Sequence, residues 1–359
     1  PLRPGLKDTL LVIPAQAGIP QLKRRMATKT EIARARMRPR QSPSTEEERT
    51  MSHYVFGPVP SRRLGRSLGI DLVPFKTCTY NCIYCQLGPT TNLTLERKEW
   101  VPFDKVMEEA REKMRFADGI DYITFSGSGE PTLHSRIGEM IRELKRLSSI
   151  PVAVLTNGSL LWQQEVRNDL LEADLVIPSL DAPGKGLFRH VNRPHPDLTF
   201  DRVVEGMVNF RERYHGKIWL EVFLLSGITG MESEVKRIAE LARTVRPDLV
   251  QLMTATRPAP MDFVEPVSSE DMNRFVRLFD VPTVAVPALS SIARDVLSKA
   301  GNEEILRLLE RRPCTIEDIA LGLGIPPAEA EKCVAYLDAH GRLRSEACNG
   351  AVYFAADPT

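Results

Sequence analysis

With 359 residues, 42% hydrophobic and 26% charged, the chain has the composition of a globular protein of two or three domains. No apolar run reaches the ~20 residues of a membrane span, so a cytoplasmic protein with no membrane partner is expected. The formal charge of +1 is uneven: residues 1–50 hold eleven Lys/Arg against five Asp/Glu, a net of +6, which leaves −5 for the rest and excludes a bulk nucleic-acid footprint on the folded part.

Residues 1–52 run from basic to Ser/Pro-rich to acidic with few large apolar side chains, and are expected to be disordered. Met51 reads as a natural start, which makes this stretch a mis-called extension; the alternative is an Arg-rich transit peptide. From residue 66 a β–α alternation begins. Strand-like runs occupy 67–74, 121–127, 151–158, 173–181, 217–225 and 248–255. Runs apolar almost throughout suit parallel strands buried on both faces. Between them lie helical patterns, such as 231–245 with Val235, Ile238, Ala242 and Val245 on one face. Six such units over 53–290 predict an α/β fold, a partial (β/α)6 TIM-like barrel. Polar and Gly-rich stretches follow each strand, where such folds place their sites.

A third section, 291–359, reads as a small winged-helix domain. "NEEILRLLERR" carries Ile305, Leu308 and Leu309 on one face, Thr315 caps "TIEDIALGLG", and "PPAEAEKCVAYLDAHG" gives a third helix. Asn349-Gly350 marks a hairpin turn between two short strands. The third helix is acidic, and Arg342 and Arg344 are the obvious phosphate contacts. A protein-interaction or substrate-recruiting role is favoured over DNA reading.

The chemistry concentrates in "CTYNCIYCQLG", residues 78–88. Chance placement of six cysteines would give CxxxCxxC in about two chains per thousand of this size. A [4Fe–4S] cluster normally takes four thiolates; Cys78, Cys82 and Cys85 supply three, leaving one iron for a small molecule. The alternatives are zinc completed by a distant His, or a cluster completed by a distant Cys. Cys314, Cys333 and Cys348 are irregularly spaced and read as structural thiols.

Cys78-x-x-x-Cys82-x-x-Cys85 and the barrel units after it resemble the radical S-adenosylmethionine (SAM) superfamily, over roughly residues 54–260. The resemblance implies one [4Fe–4S] cluster and SAM as cofactors. It also implies an oxidoreductase that cleaves SAM reductively to a 5′-deoxyadenosyl radical, with an electron donor such as flavodoxin or ferredoxin. The SAM contacts it implies are Tyr84, Gly127, Gly129 and Glu130 of "GSGEP", with Glu130 accepting from the methionine ammonium. It adds Asn157, Ser179 and Asp181, then Gly227 and Ile228 of "SGITG", and Leu252 of "QLMT". Gly230 lacks the usual Glu three residues later.

"YVFGPVPSRRLGRSLGIDLVPFKTC" and "FRHVNRPH" look like a branch related to the wyosine-base synthase that modifies tRNA, but no cysteine precedes Cys78 for that branch's second cluster. Candidate substrate contacts are Arg62, Arg63, Arg193, His195, Glu221 and Arg257, with His134 equally a helix-start residue. The substrate, whether small molecule, protein or RNA, is open. Two rivals remain: an Fe–S winged-helix DNA regulator and an RNA-modifying radical enzyme.

Overall fold

The computed structural model describes residues 54–116, 119–286, 301–348 and 350–357. The basic tail, the expected domain boundary near 290 and Asn349 of the hairpin turn lie outside the described residues. A hairpin of β1 (Val55–Ser61) and β2 (Gly65–Ile70) comes first, followed by a short parallel pair, β3 (Thr77–Cys78) and β4 (Asn92–Leu93). Then follow α1 (Phe103–Phe116), β5 (Tyr122–Phe125), a 3-10 turn at Pro131–Leu133, α2 (Ile137–Leu147), β6 (Val152–Thr156) and α3 (Gln164–Asp169). Next come β7 (Leu175–Pro178), α4 (Lys185–Val191), α5 (Phe200–Arg213), β8 (Lys217–Leu224) and α6 (Glu232–Val245). The section closes with β9 (Leu249–Thr254), α7 (Ser269–Val276) and β10 (Thr283–Ala285).

These strands form one sheet in the order β1-β2-β5-β6-β7-β8-β9-β10, parallel from β2 onward, with β1 antiparallel at one edge. All six expected strands are present. Sequence reading missed the two edges. β1 contains Pro58 and Pro60, which an edge strand tolerates because half its N–H groups have no ladder partner. β10 is three residues long, too short to show a period.

Alternation along the strands sorts the side chains. Val152, Val154, Val176, Leu220, Val222 and Leu252 pack against the helices. The expected face of α6 is buried, with Val235, Ile238, Ala242 and Val245 fully inside; each large aliphatic group contributes about 1.5–3 kcal/mol by leaving water. The other face of the sheet begins apolar, with Ala153, Leu175 and Ile177 around Leu64. It continues polar: Ser67 Oγ and Thr124 Oγ1 are 2.5 Å apart, and Glu221 sits in register with Gln251.

The C-terminal section consists of α8 (Asn302–Arg311), α9 (Ile316–Leu323), α10 (Pro327–Ala339) and the antiparallel pair β11 (Leu343–Cys348) and β12 (Ala351–Ala356). It has its own core of Ile305, Leu309, Ile319, Val334 and Leu337, with Cys314 buried in it. Thr315 caps α9 as expected, accepting from the Asp318 N–H at 3.1 Å; α10 starts on Pro326 without a side-chain cap. Polar side chains join the section to the sheet. Arg311 reaches Asp71 at 3.4 Å and lies over the Phe56 ring. Arg257 donates to the Pro313 carbonyl at 3.1 Å and reaches Asp318 at 3.4 Å. The Tyr353 hydroxyl donates to the Thr256 carbonyl at 2.7 Å. Among the described residues no helix is long and apolar enough to cross a membrane.

Candidate active site

The cysteine loop leaves β3 and is bracketed by backbone bonds. The N–H groups of Asn81 and Ile83 donate to the Asn192 and Val191 carbonyls, and His195 N–H donates to Thr79 O, at 2.9–3.0 Å. The segment "FRHVNRPH" thus works as a splint for the loop. On the opposite side Lys76 N–H donates to Ser128 O at 2.8 Å and Glu130 N–H to Thr77 O at 3.2 Å, zipping "GSGEP" onto the strand that carries Cys78. That contact demands Gly129, whose hypothetical Cβ would stand 1.8 Å from Thr77 O.

Each sulfur of this loop has a side-chain N–H donor within reach. Lys76 Nζ lies 2.9 Å from Cys85 Sγ, Asn157 Nδ2 3.6 Å from Cys78 Sγ, and Asn192 Nδ2 3.7 Å from Cys82 Sγ. Burial pushes the Cys78 thiol up to about 11 and the Cys82 thiol well above its ordinary value. Burial also works against the Lys76 ammonium, but Cys85, Cys78 and Cys82 outweigh it and raise its pKa. The three thiols form no disulfide and lie within electrostatic reach of one another. Among the described residues no three His, Cys, Asp or Glu side chains converge on a single-ion site. Cys314 and Cys333 belong to the core of the C-terminal section, and Cys348 ends β11. Three thiols, each with a donor that stabilises a thiolate, fit a cluster held at three of its irons.

The remaining expected residues divide. Glu130 is 2% exposed and accepts four hydrogen bonds, from Thr132 N–H, Thr132 Oγ1, Thr156 Oγ1 and Asn157 N–H at 2.5–3.0 Å. These fill the roughly four lone-pair sites of a carboxylate. An ammonium there has to displace a Thr hydroxyl. Asn157 also donates to Thr79 Oγ1 at 2.7 Å. Gly127 packs against Asp71, whose carboxylate accepts from Ser128 N–H and Oγ at 3.0 and 2.5 Å. Tyr84 stacks on Phe223 at 4.1 Å and gives its hydroxyl to Asp181; Ile228, in the turn with Gly227, packs in the same apolar cluster. Ser179 Oγ donates to Glu221 at 3.3 Å, and Glu221 is paired with Arg63.

Leu252 departs from expectation. It is fully buried among the helix-facing side chains, and its neighbours Gln251 and Met253 take the opposite face. His134 is also placed structurally, fully buried with Nε2 against the Val101 carbonyl at 2.9 Å and Nδ1 accepting from Arg136 N–H. Arg62 and Arg257 meet near Thr256, Arg193 keeps a positive φ of 44° beside the cysteine loop, and His195 lies beyond it against Asp197. Sequence reading missed Lys76, Thr79, Asn192 and Gln251. Lys76 and Asn192 stand inside "PFKTC" and "FRHVNRPH" with nothing local to mark them as donors; Gln251, whose buried Oε1 has no partner among the described residues, carried no signal.

Asp181 joins three elements, accepting from Tyr84, from Asn192 Nδ2 at 2.8 Å and from Phe223 N–H at 3.0 Å. Burial raises its pKa from 3.8 to about 6. A raised carboxyl pKa favours the folded state while protonated, so its contribution is full below the ordinary value and lost as pH rises through about 6. Asp181→Asn is therefore expected to remove a pH-dependent loss of about 3 kcal/mol between roughly pH 4 and 6. Urea midpoints of wild type and variant across that range test this; parallel profiles would refute it.

Residues 72–242 match the model for the radical SAM superfamily. The UPF0026 protein of Methanocaldococcus jannaschii is 39% identical over 228 residues, covering 63% of this chain and 71% of that protein. The chain belongs to the UPF0026 family. A UPF0026 chain thus carries a radical SAM domain, and proteins with that domain bind a [4Fe–4S] cluster and SAM, which are the cofactors here. A GTPase Obg of Brachyspira hyodysenteriae is 40% identical over 306 residues, 84% of this chain; the chain spans only 45% of that protein. A radical SAM methyltransferase structure from Sphaerobacter thermophilus aligns at 18% identity and a TM-score of 0.44, over 61% of this chain and 65% of that one.

Proposed function

We propose that this UPF0026 protein is a radical SAM enzyme whose substrate lies over the polar face of the sheet, beside the cysteine loop. The three cysteine sulfurs, each with its own N–H donor, carry the reading. In this reading the sheet is an open (β/α)6 barrel and the C-terminal section a winged-helix domain. The bound cluster and SAM supply a 5′-deoxyadenosyl radical for hydrogen abstraction, fed by an electron donor such as flavodoxin or ferredoxin. The chain's own residues orient and shield. Cys78, Cys82 and Cys85 hold the cluster, Lys76, Asn157 and Asn192 steady their sulfurs, and Tyr84 with Phe223 and Ile228 offers an apolar wall for adenine. Gly127 and Gly129 let the "GSGEP" backbone approach, while Glu130 fixes that loop to Thr156 and Asn157. Ser179, Glu221 and Gln251 line the polar face.

The splint role of "FRHVNRPH" accounts for that segment without an RNA substrate. The radical SAM match also favours an enzyme over a DNA regulator. The test is anaerobic reconstitution, reduction and addition of SAM. A cluster electron paramagnetic resonance signal that shifts with SAM, together with 5′-deoxyadenosine, is expected. A stable cluster blind to SAM would defeat the reading.

A further inference from the structure

Where the C-terminal section meets the sheet, four guanidinium groups gather. Arg62 Nη1 donates to Thr256 Oγ1 at 3.2 Å, and Arg257 follows directly in sequence. Arg257, only 8% exposed, donates to the Pro313 carbonyl at 3.1 Å, so Arg312 is adjacent, and it reaches Gln86 beside Cys85 at 3.4 Å. Arg62 lies within electrostatic reach of Arg63, Arg257 and Arg312. Two carboxylates face this group, and each is already engaged: Glu221 with Arg63 and Asp318 with Arg257. Among the described residues two positive charges are left over. There the buried Nε and Nη2 of Arg312 have no hydrogen-bond partner, and the side chain of Arg62 bonds to a hydroxyl.

A buried charge without a counter-charge is strongly unfavourable. Guanidinium forks suit tetrahedral oxyanions, which they bind through paired N–H groups. A surplus of two matches a phosphoryl group, at about −1.5 to −2 near neutral pH, better than a single carboxylate. The position beside Gln86 puts the anion next to the cysteine loop.

We propose that Arg62, Arg257 and Arg312 bind the phosphoryl group of a small-molecule substrate. This rests on the reading of that region as the substrate side of a radical SAM enzyme, and gives that substrate a chemical class. It also gives the C-terminal section a share in the site, through Arg312.

The test is calorimetric titration of the full chain, with and without its reconstituted cluster, at constant ionic strength set with chloride. The titrants are inorganic phosphate, acetate and a short single-stranded RNA. Saturable phosphate binding, tighter than acetate, is expected. Arg62→Gln and Arg312→Gln should each weaken it at least ~10-fold, while Arg146→Gln on the exposed surface leaves it unchanged. Melting temperatures without phosphate show that each variant is folded. If Arg312→Gln fails to fold, Arg312→Lys replaces it, with weakened binding again expected because lysine cannot reproduce the fork. Absence of saturable phosphate binding overturns the proposal, and so does acetate binding as tightly as phosphate. Binding that survives both substitutions also overturns it, as does RNA bound through these arginines while phosphate is not. Since phosphate binding is read without SAM, failure of the radical chemistry and failure of the anion site give separate results.

Discussion

Cys82→Ala is expected to leave the chain folded and its iron content at background after reconstitution. In the proposed site these three thiols are the cluster's protein ligands, and the other described cysteines belong to the C-terminal section. Losing one leaves two attachment points, too few to hold a four-iron cluster against solvent. Folding should survive because the loop is pinned independently of the sulfur. Asn81 and Ile83 donate to the Asn192 and Val191 carbonyls, and Asn192 keeps Asp181 as an acceptor at 2.8 Å when Cys82 Sγ is gone. The cost to the metal-free chain should be about 1 kcal/mol, that of a small apolar truncation. Iron-to-protein ratio, visible absorbance and a thermal melt measure this. Full cluster absorbance in the variant would remove Cys82 from the ligand set.

Gly129→Ala, which alters no proposed cluster cysteine, is expected to be nearly as damaging. The added Cβ would sit 1.8 Å from Thr77 O and 2.9 Å from Val73. The first obstacle is a backbone carbonyl in the strand that ends at Cys78, so no rotamer change relieves it. Either "GSGEP" lifts away, breaking the Lys76–Ser128 and Glu130–Thr77 backbone bonds, or the strand shifts and carries Cys78 with it. Overpacking of this kind costs about 1–3 kcal/mol, and a backbone collision belongs at the upper end. Urea unfolding should show the loss, and iron retained after desalting should fall several-fold with all three cysteines present. A variant with the stability and iron content of wild type would show that the loop yields without disturbing the cysteine strand.

Much of the fold was legible because parallel strands buried on both faces leave runs that are mostly apolar, as at 151–158 and 248–255. The same property hid which way each residue points. Leu252 and Gln251 are neighbours on β9, and only the ladder with β8 shows that Gln251 joins Glu221 while Leu252 joins Val222 against the helices. The cysteine loop was legible from spacing, since a loop reads as a local pattern. The donors to its sulfurs were harder: Asn157 and Asn192 come from two distant turns, and nothing in a linear motif says that a side-chain amide will end near a sulfur. Glu130 shows the limit from the other direction. Its place in "GSGEP" suggested an open acceptor, while folding supplies it with four donors from its surroundings.

Asp71 stands at the end of β2 with one carboxylate and two clients. It holds the Ser128 N–H and hydroxyl of the cofactor loop, and it is the counter-charge for Arg311 at the end of α8. Burial raises its pKa, and the Arg311 guanidinium together with the Ser128 and Val73 donors works against that rise. The conformation of the loop and the seating of the C-terminal section therefore share a free-energy term. Linkage makes such a term reciprocal: whatever steadies the loop tightens the section, and whatever loosens the section is felt at the loop to the same extent. Through this one side chain the C-terminal section and the cofactor loop are thermodynamically coupled.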